Sequence, residues 1–307
     1  MATPEAAAPP PQVRLGILGY GEVGHGLALG LRKAGLASIA AFQRTPHSPL
    51  TLERAQASGV RLVGSAEALA DCADVVIAVT QGRESLAAAR AICPGLSARH
   101  CYVDLASAAP STKRQIAELL EGTGAAYADG VIEGSPLEHE HRLPILVSGP
   151  GASRFAGALN PWQMRIAVAG AEVGRAAAIK GLRHILMKGQ IALLLEGLVA
   201  ARRAGIQDEV LVSVAEWYDA LPFTQNATRL VRTTIVHARR RAEEAAMARD
   251  IALDLGIDPI MTRATVATLE KVAALGLRES TGGVLPASLD AAIDLICEHW
   301  DHREETK

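Results

Sequence analysis

At 307 residues, 49% hydrophobic and 21% charged, with a formal net charge of −2, the chain is long enough for two packed domains and lacks the basic footprint of a nucleic-acid binder. No apolar run reads as long enough to cross a bilayer, so neither membrane nor nucleic acid is an expected partner. The four cysteines, Cys72, Cys93, Cys101 and Cys297, show no metal-ligand spacing; they predict no metal site and fit reduced thiols of the cytoplasm.

Residues 1–12 are Ala/Pro-rich, with no basic start and no continuous apolar stretch, and read as a disordered lead-in rather than a signal peptide. Val13–Leu18 then reads as a buried strand running into Gly19, Tyr20, Gly21, Glu22, Val23 and Gly24 and on into an Ala/Leu-rich helix. That context predicts a dinucleotide-binding turn. Gly19 allows the tight turn, Gly21 lets a pyrophosphate approach the backbone, and Gly24 lets the helix lie close on the sheet with its free N–H groups facing the anion. The alternative is a glycine turn that binds no nucleotide.

About twenty residues further on, a dinucleotide site that uses NAD normally carries an acid for the ribose 2′-hydroxyl. Here the strand Ser38–Phe42 ends in Gln43, Arg44 and Thr45. A guanidinium and a hydroxyl suit a 2′-phosphate, which favours NADP over NAD; the alternative is that Arg44 is a solvated strand-end residue. Thr80, at the end of the strand 74–79, joins the expected cofactor-binding residues.

Short β-branched runs at 61–63, 74–79, 101–104, 125–127, 144–147 and 163–168 alternate with Ala/Leu/Glu helices, the rhythm of a largely parallel sheet covered on both faces. After Gly170 the strand signals stop, and helices are predicted at roughly 171–204, 207–218, 226–255, 258–275 and 286–300. The fold class is therefore an α/β Rossmann-like domain over 13–170, joined through a long interdomain helix to an all-α domain over 171–307.

The first helix after Gly170 is apolar on most of its circumference, with Ile179, Leu182, Ile185, Leu186, Ile191, Leu193, Leu194 and Leu195, and is expected to be buried. Lys180, His184 and Lys188 recur at i, i+4 and i+8 on one face of it. Three titratable groups in an apolar wall are costly unless they face a wet cleft or a charged ligand, so the stripe is expected to line a site and to hold a lysine of lowered pKa. The alternative is a solvated helix face. The apolar length from Leu182 to Val199 exceeds what one small domain covers, which predicts a homodimer.

Four motifs together resemble the 3-hydroxyacid dehydrogenase superfamily, which includes 6-phosphogluconate and 3-hydroxyisobutyrate dehydrogenases. They are Gly19–Gly24; Phe42–Thr45, similar to the Asn-Arg-Thr of members that use NADP; Asp104–Pro110; and Gly174–Lys180. The resemblance implies that Ser107, in the threonine position of an Asp-x-Ser-Thr-x-x-Pro segment, lies near the cofactor and that Lys180 is the general acid/base. Glu133 stands where the family carries a substrate-contacting serine, and His184 where it carries a substrate-binding asparagine, which turns the expectation away from the usual short hydroxy acids. The segments 143–150, 187–189 and 237–244 resemble a poorly characterised branch whose helical domain has no assigned function.

These readings together predict NADP-dependent hydride transfer between nicotinamide and a small hydroxy or carbonyl compound, with Lys180 moving the hydroxyl proton. Glu133, Gly134, Ser135, His184 and Lys188 are the expected substrate-binding residues. The basic run 239–241 either reaches over the cleft or pairs with Glu243 and Glu244. The alternative functions are an imine reductase, which shares the architecture, and a non-catalytic NADP-sensing scaffold.

Overall fold

The computed structural model describes residues 10–45, 47–134 and 139–300. Eight strands occur among them: β1 (Leu15–Leu18), β2 (Ile39–Phe42), β3 (Arg61–Leu62), β4 (Val75–Ala78), β5 (Cys101–Asp104), β6 (Ala126–Ile132), β7 (Pro144–Ser148) and β8 (Arg165–Gly170). They form one sheet in the order β3-β2-β1-β4-β5-β6-β7-β8. Helices α1 (Glu22–Lys33), α2 (Pro49–Ser58), α3 (Ala66–Cys72), α4 (Ser85–Ile92), α5 (Pro110–Leu120) and α6 (Ala152–Leu159) connect them.

Side chains alternate across each strand, so the sheet separates two apolar cores. Leu15 and Ile17 of β1 pack on one face with Leu27 and Leu31 of α1 and Phe155 of α6. Leu18, Val76 of β4 and Tyr102 of β5 pack on the other with Leu69 of α3, Ile92 of α4 and Ile116 of α5. The central strands are buried on both faces, as parallel strands under helices must be.

The sheet is parallel from β3 to β6. β7 then runs antiparallel to β6, with Gly130 opposite Val147, and β8 runs parallel to β7. This reversal stands beside the expected parallel rhythm, and its cause is connection length: the eleven residues from 133 to 143 are fewer than a crossover to a parallel neighbour needs. β6 also continues to Ile132, well past the expected end at Tyr127.

The chain divides into two compact units, Met1–His184 and Ile185–Lys307. The expected boundary at Gly170 is the end of β8, whereas the first unit runs on to His184, into the next helix. That helix, α7, spans Arg175–Ala204 and is followed by α8 (Gln207–Asp219), α9 (Phe223–Asp254), α10 (Ile260–Ala274), α11 (Leu277–Ser280) and α12 (Leu289–Trp300). In the second unit Ile235, Leu277 and Ala292 form a small core. Glu196 of α7 accepts hydrogen bonds from the Met261 and Thr262 amides at 2.7 and 2.9 Å, capping the start of α10. Arg203 donates to the Gly256 carbonyl at 2.6 Å, just past the end of α9.

The expected burial of α7 does not hold within one chain. Leu182, Ile185 and Leu195 are 65%, 68% and 63% exposed. Periodicity shows that a face needs cover and says nothing of what supplies it. The helix is also long and apolar enough to cross a membrane by length and composition alone, against the expectation that no run is. The difference is that Lys188 and Glu196 interrupt any continuous apolar run yet leave the helix apolar on average over a span of 18 residues. The basic run resolves on its own helix: Arg240 pairs with Glu244 at 3.1 Å, and Arg241 donates to the Leu230 carbonyl and the Thr233 hydroxyl.

Candidate active site

The glycine turn lies between β1 and α1. Gly19 has φ +97°, and a Cβ on Gly24 would sit 2.4 Å from the Gly19 carbonyl oxygen, so neither position accepts a larger residue. A Cβ on Gly21 would meet nothing within 4 Å, because Gly21 faces the mouth of an open groove of about 610 Å³. Arg44 and Thr80 line the same groove, and the buried Thr80 Oγ1 has no partner among the described residues. Glu22, Val23 and Thr45 do not line the groove: Val23 packs against the core beneath the sheet, and the Thr45 carbonyl accepts the Ser48 amide. The Tyr20 side chain turns away into the core, where its hydroxyl meets Ser58 Oγ at 2.6 Å. Its amide donates to Gln43 Oε1 at 2.8 Å, a latch between the turn and the end of β2 that the sequence reading missed.

Two further loops meet beside the groove. After β5, Asp104 is fully buried and accepts from Lys113 Nζ at 2.9 Å, from the Ala106 amide at 3.0 Å and from Ser85 Oγ. Lys113, equally buried, also donates to the Asp104 and Ala106 carbonyls at 2.8 Å each. The ammonium and carboxylate thus satisfy each other and bind the turn that carries Ser107. After β4, Gly82 packs against that turn: a Cβ there would fall 2.0 Å from the Ser107 carbonyl oxygen.

The start of α7 is held from the sheet. Asp129 of β6 accepts from the Gly174 amide at 3.0 Å and the Ala177 amide at 3.2 Å, and Ser148 of β7 accepts from the Ala176 amide at 2.9 Å. These bonds satisfy the orphan amides of the first helical turn. They also set the helix start at Arg175, later than expected, after Gly174 at φ +94°.

One turn further, Lys180 Nζ donates to the Ile132 carbonyl at 2.9 Å and the Ser107 hydroxyl at 3.2 Å. An ammonium has three protons, so one remains to be given to another acceptor. Burial holds the pKa of Lys180 below the usual lysine range; nearby Glu133 opposes that shift, and the charges of Lys113 and Arg183 reinforce it. The expected stripe is divided. His184 and Lys188 are exposed, while Arg183, absent from the sequence reading, pairs with Glu133 at 2.7 Å. Gly134 follows Glu133 on the exposed side, and Ser135 lies outside the described residues.

Comparison with known proteins adds to this geometry. Residues 14–158 match the family described as the NAD binding domain of 6-phosphogluconate dehydrogenase, and residues 201–272 match one described as a domain of unknown function. A solved structure of conserved protein MTH1747, of unknown function and described as similar to 3-hydroxyacid dehydrogenases, is 34% identical. The alignment covers 85% of this chain and 96% of that one, with a TM-score of 0.60. L-threonate dehydrogenase of Escherichia coli is 26% identical over 208 residues, covering 66% of this chain and 68% of that protein. An imine reductase from Aspergillus terreus, solved with NADPH4 and dibenz[c,e]azepine, shares the fold at a TM-score of 0.72 and 21% identity, covering 89% and 96% of the two chains.

Proposed function

Because this chain belongs to the 3-hydroxyacid dehydrogenase family, in the branch whose C-terminal domain has no assigned function, and is an NAD(P)-binding oxidoreductase, we propose that it interconverts a small alcohol and its carbonyl compound using NADP. The observation that carries this reading is Lys180, half-buried beyond the C-terminal ends of β5 and β6, with two protons engaged and one available. The residues around the groove suit a dinucleotide: Gly21 leaves room for a pyrophosphate, Thr80 offers an unpartnered hydroxyl, and Arg44 offers a guanidinium to a 2′-phosphate. The bound nicotinamide would supply or accept the hydride.

The chain's own residues govern the proton. Protonated Lys180 donates a hydrogen bond to the substrate carbonyl oxygen, stabilises the negative charge that develops there, and then delivers the proton to that oxygen. In the oxidising direction neutral Lys180 takes the hydroxyl proton. Ser107 and the Ile132 carbonyl hold the amine in place. Glu133 and Arg183 form the adjoining wall, with Gly134 and His184 as further contacts for an oxygen-rich substrate.

The test is fluorescence-monitored titration with NADPH and NADH, followed by a panel of hydroxy acids, sugar acids, aldehydes and ketones. NADPH is expected to bind at least tenfold more tightly than NADH. Failure of both nucleotides to bind would remove the proposal.

We also infer a homodimer, whose partner covers the apolar side chains along α7. Besides Leu182, Ile185 and Leu195, the residues Leu186, Trp217 and Phe223 are 64%, 42% and 67% exposed, and large apolar side chains left open in this number favour a partner that covers them. Glu196, midway along α7, is committed to the α10 start, and the dimer keeps such a carboxylate out of lipid. Light scattering at micromolar concentration is expected to give twice the mass of one chain; a single-chain mass would overturn the inference.

A further inference from the structure

The rim of the groove nearest Arg44 carries two more charges, and they sit on a turn that is pinned from beneath. Gln81 to Glu84 leave β4 in a single tight turn, closed by the Glu84 amide on the Gln81 carbonyl at 2.8 Å. Gly82 presses this turn onto the Ser107 loop, and Ser85 bonds the buried Asp104 carboxylate. Arg83 and Glu84 are therefore held at the rim, facing Arg44 across it. Glu84 accepts from Arg44 at 3.1 Å and lies 3.7 Å from Arg83, so one carboxylate stands between two guanidinium groups.

We propose that Arg83 is the second guanidinium of the 2′-phosphate site and that Glu84 is its resident counter-ion, released when the phosphate binds. This rests on the NADP reading above. Two guanidinium groups match a phosphate dianion in charge and in fork geometry. Both arginines are about four-fifths exposed, and ion pairs of that kind are worth little, so the carboxylate is readily exchanged. Glu84 also supplies what the end of β2 lacks, an acceptor for a ribose 2′-hydroxyl. It therefore retains some affinity for the dephosphorylated cofactor while taxing the phosphorylated one.

Calorimetric titration of the full chain with 2′,5′-ADP and with 5′-AMP isolates this end of the site from the reaction. Arg83→Ala is expected to weaken 2′,5′-ADP about tenfold and leave 5′-AMP within twofold. Glu84→Gln is expected to tighten 2′,5′-ADP three- to tenfold and to weaken 5′-AMP. If the unmodified protein favours 2′,5′-ADP and both variants leave both ligands within twofold, the assignment of Arg83 and Glu84 is overturned while the NADP reading stands. If the unmodified protein does not favour 2′,5′-ADP, the NADP reading itself falls, and this assignment with it.

Discussion

Lys180→Met is expected to lower turnover by about 10²–10⁴-fold, the usual contribution of a positioned acid/base, while NADPH affinity stays within a few-fold. Methionine keeps the length and apolar body of the side chain and removes only the donor. Retention of a near-normal rate would refute the role given to Lys180. The pH dependence carries a second check. Reduction needs the protonated amine, so its kcat/KM is level at low pH and falls as pH rises through the lowered pKa of Lys180; oxidation rises through the same point. Glu133 supports the ammonium, so Glu133→Gln is expected to move that limb to lower pH in both directions. A limb that stays in place would show that Glu133 does not act on Lys180.

Lys113→Met is expected to cost about 3–5 kcal/mol of stability, because it strands the Asp104 carboxylate in the core with only Ser85 and the Ala106 amide to meet it. Unfolding in urea followed by circular dichroism reads this as a lower midpoint. The double variant Asp104→Asn with Lys113→Met removes both charges and is expected to be more stable than Lys113→Met alone. A single variant that unfolds where the unmodified protein does, or a double variant no better than the single, would contradict the account of the pair.

What the sequence made legible was local. The turn at Gly19, Gly21 and Gly24 could be read because the steric demands fall on residues a few places apart. Lys180 is marked by its spacing from Gly174, and its amine donates to the Ser107 hydroxyl. What it hid was nonlocal. Asp129 caps a helix 45 residues later, and Lys113 is paired by a strand end across a turn; in the sequence each reads as an ordinary polar residue near an apolar strand. The reversal at β7 was also hidden, since an apolar pentapeptide has no direction. The stripe rule placed His184 and Lys188 on the face of Lys180, yet Arg183 reaches Glu133: a step of one residue is about 100° around the helix, and a long guanidinium spans the difference.

The contact beneath Gly82 sets a limit on redesign. In a library randomising residues 80–86 to change cofactor preference, Arg83 and Glu84 are open to variation, whereas position 82 should return glycine alone, since any side chain there would collide with the Ser107 carbonyl oxygen. A variant that relieved the collision by shifting the turn would displace the hydroxyl that holds Lys180. With the roles proposed for Arg83, Glu84 and Lys180, cofactor selectivity and proton transfer would share one backbone contact, and selection for the first through that contact would weaken the second.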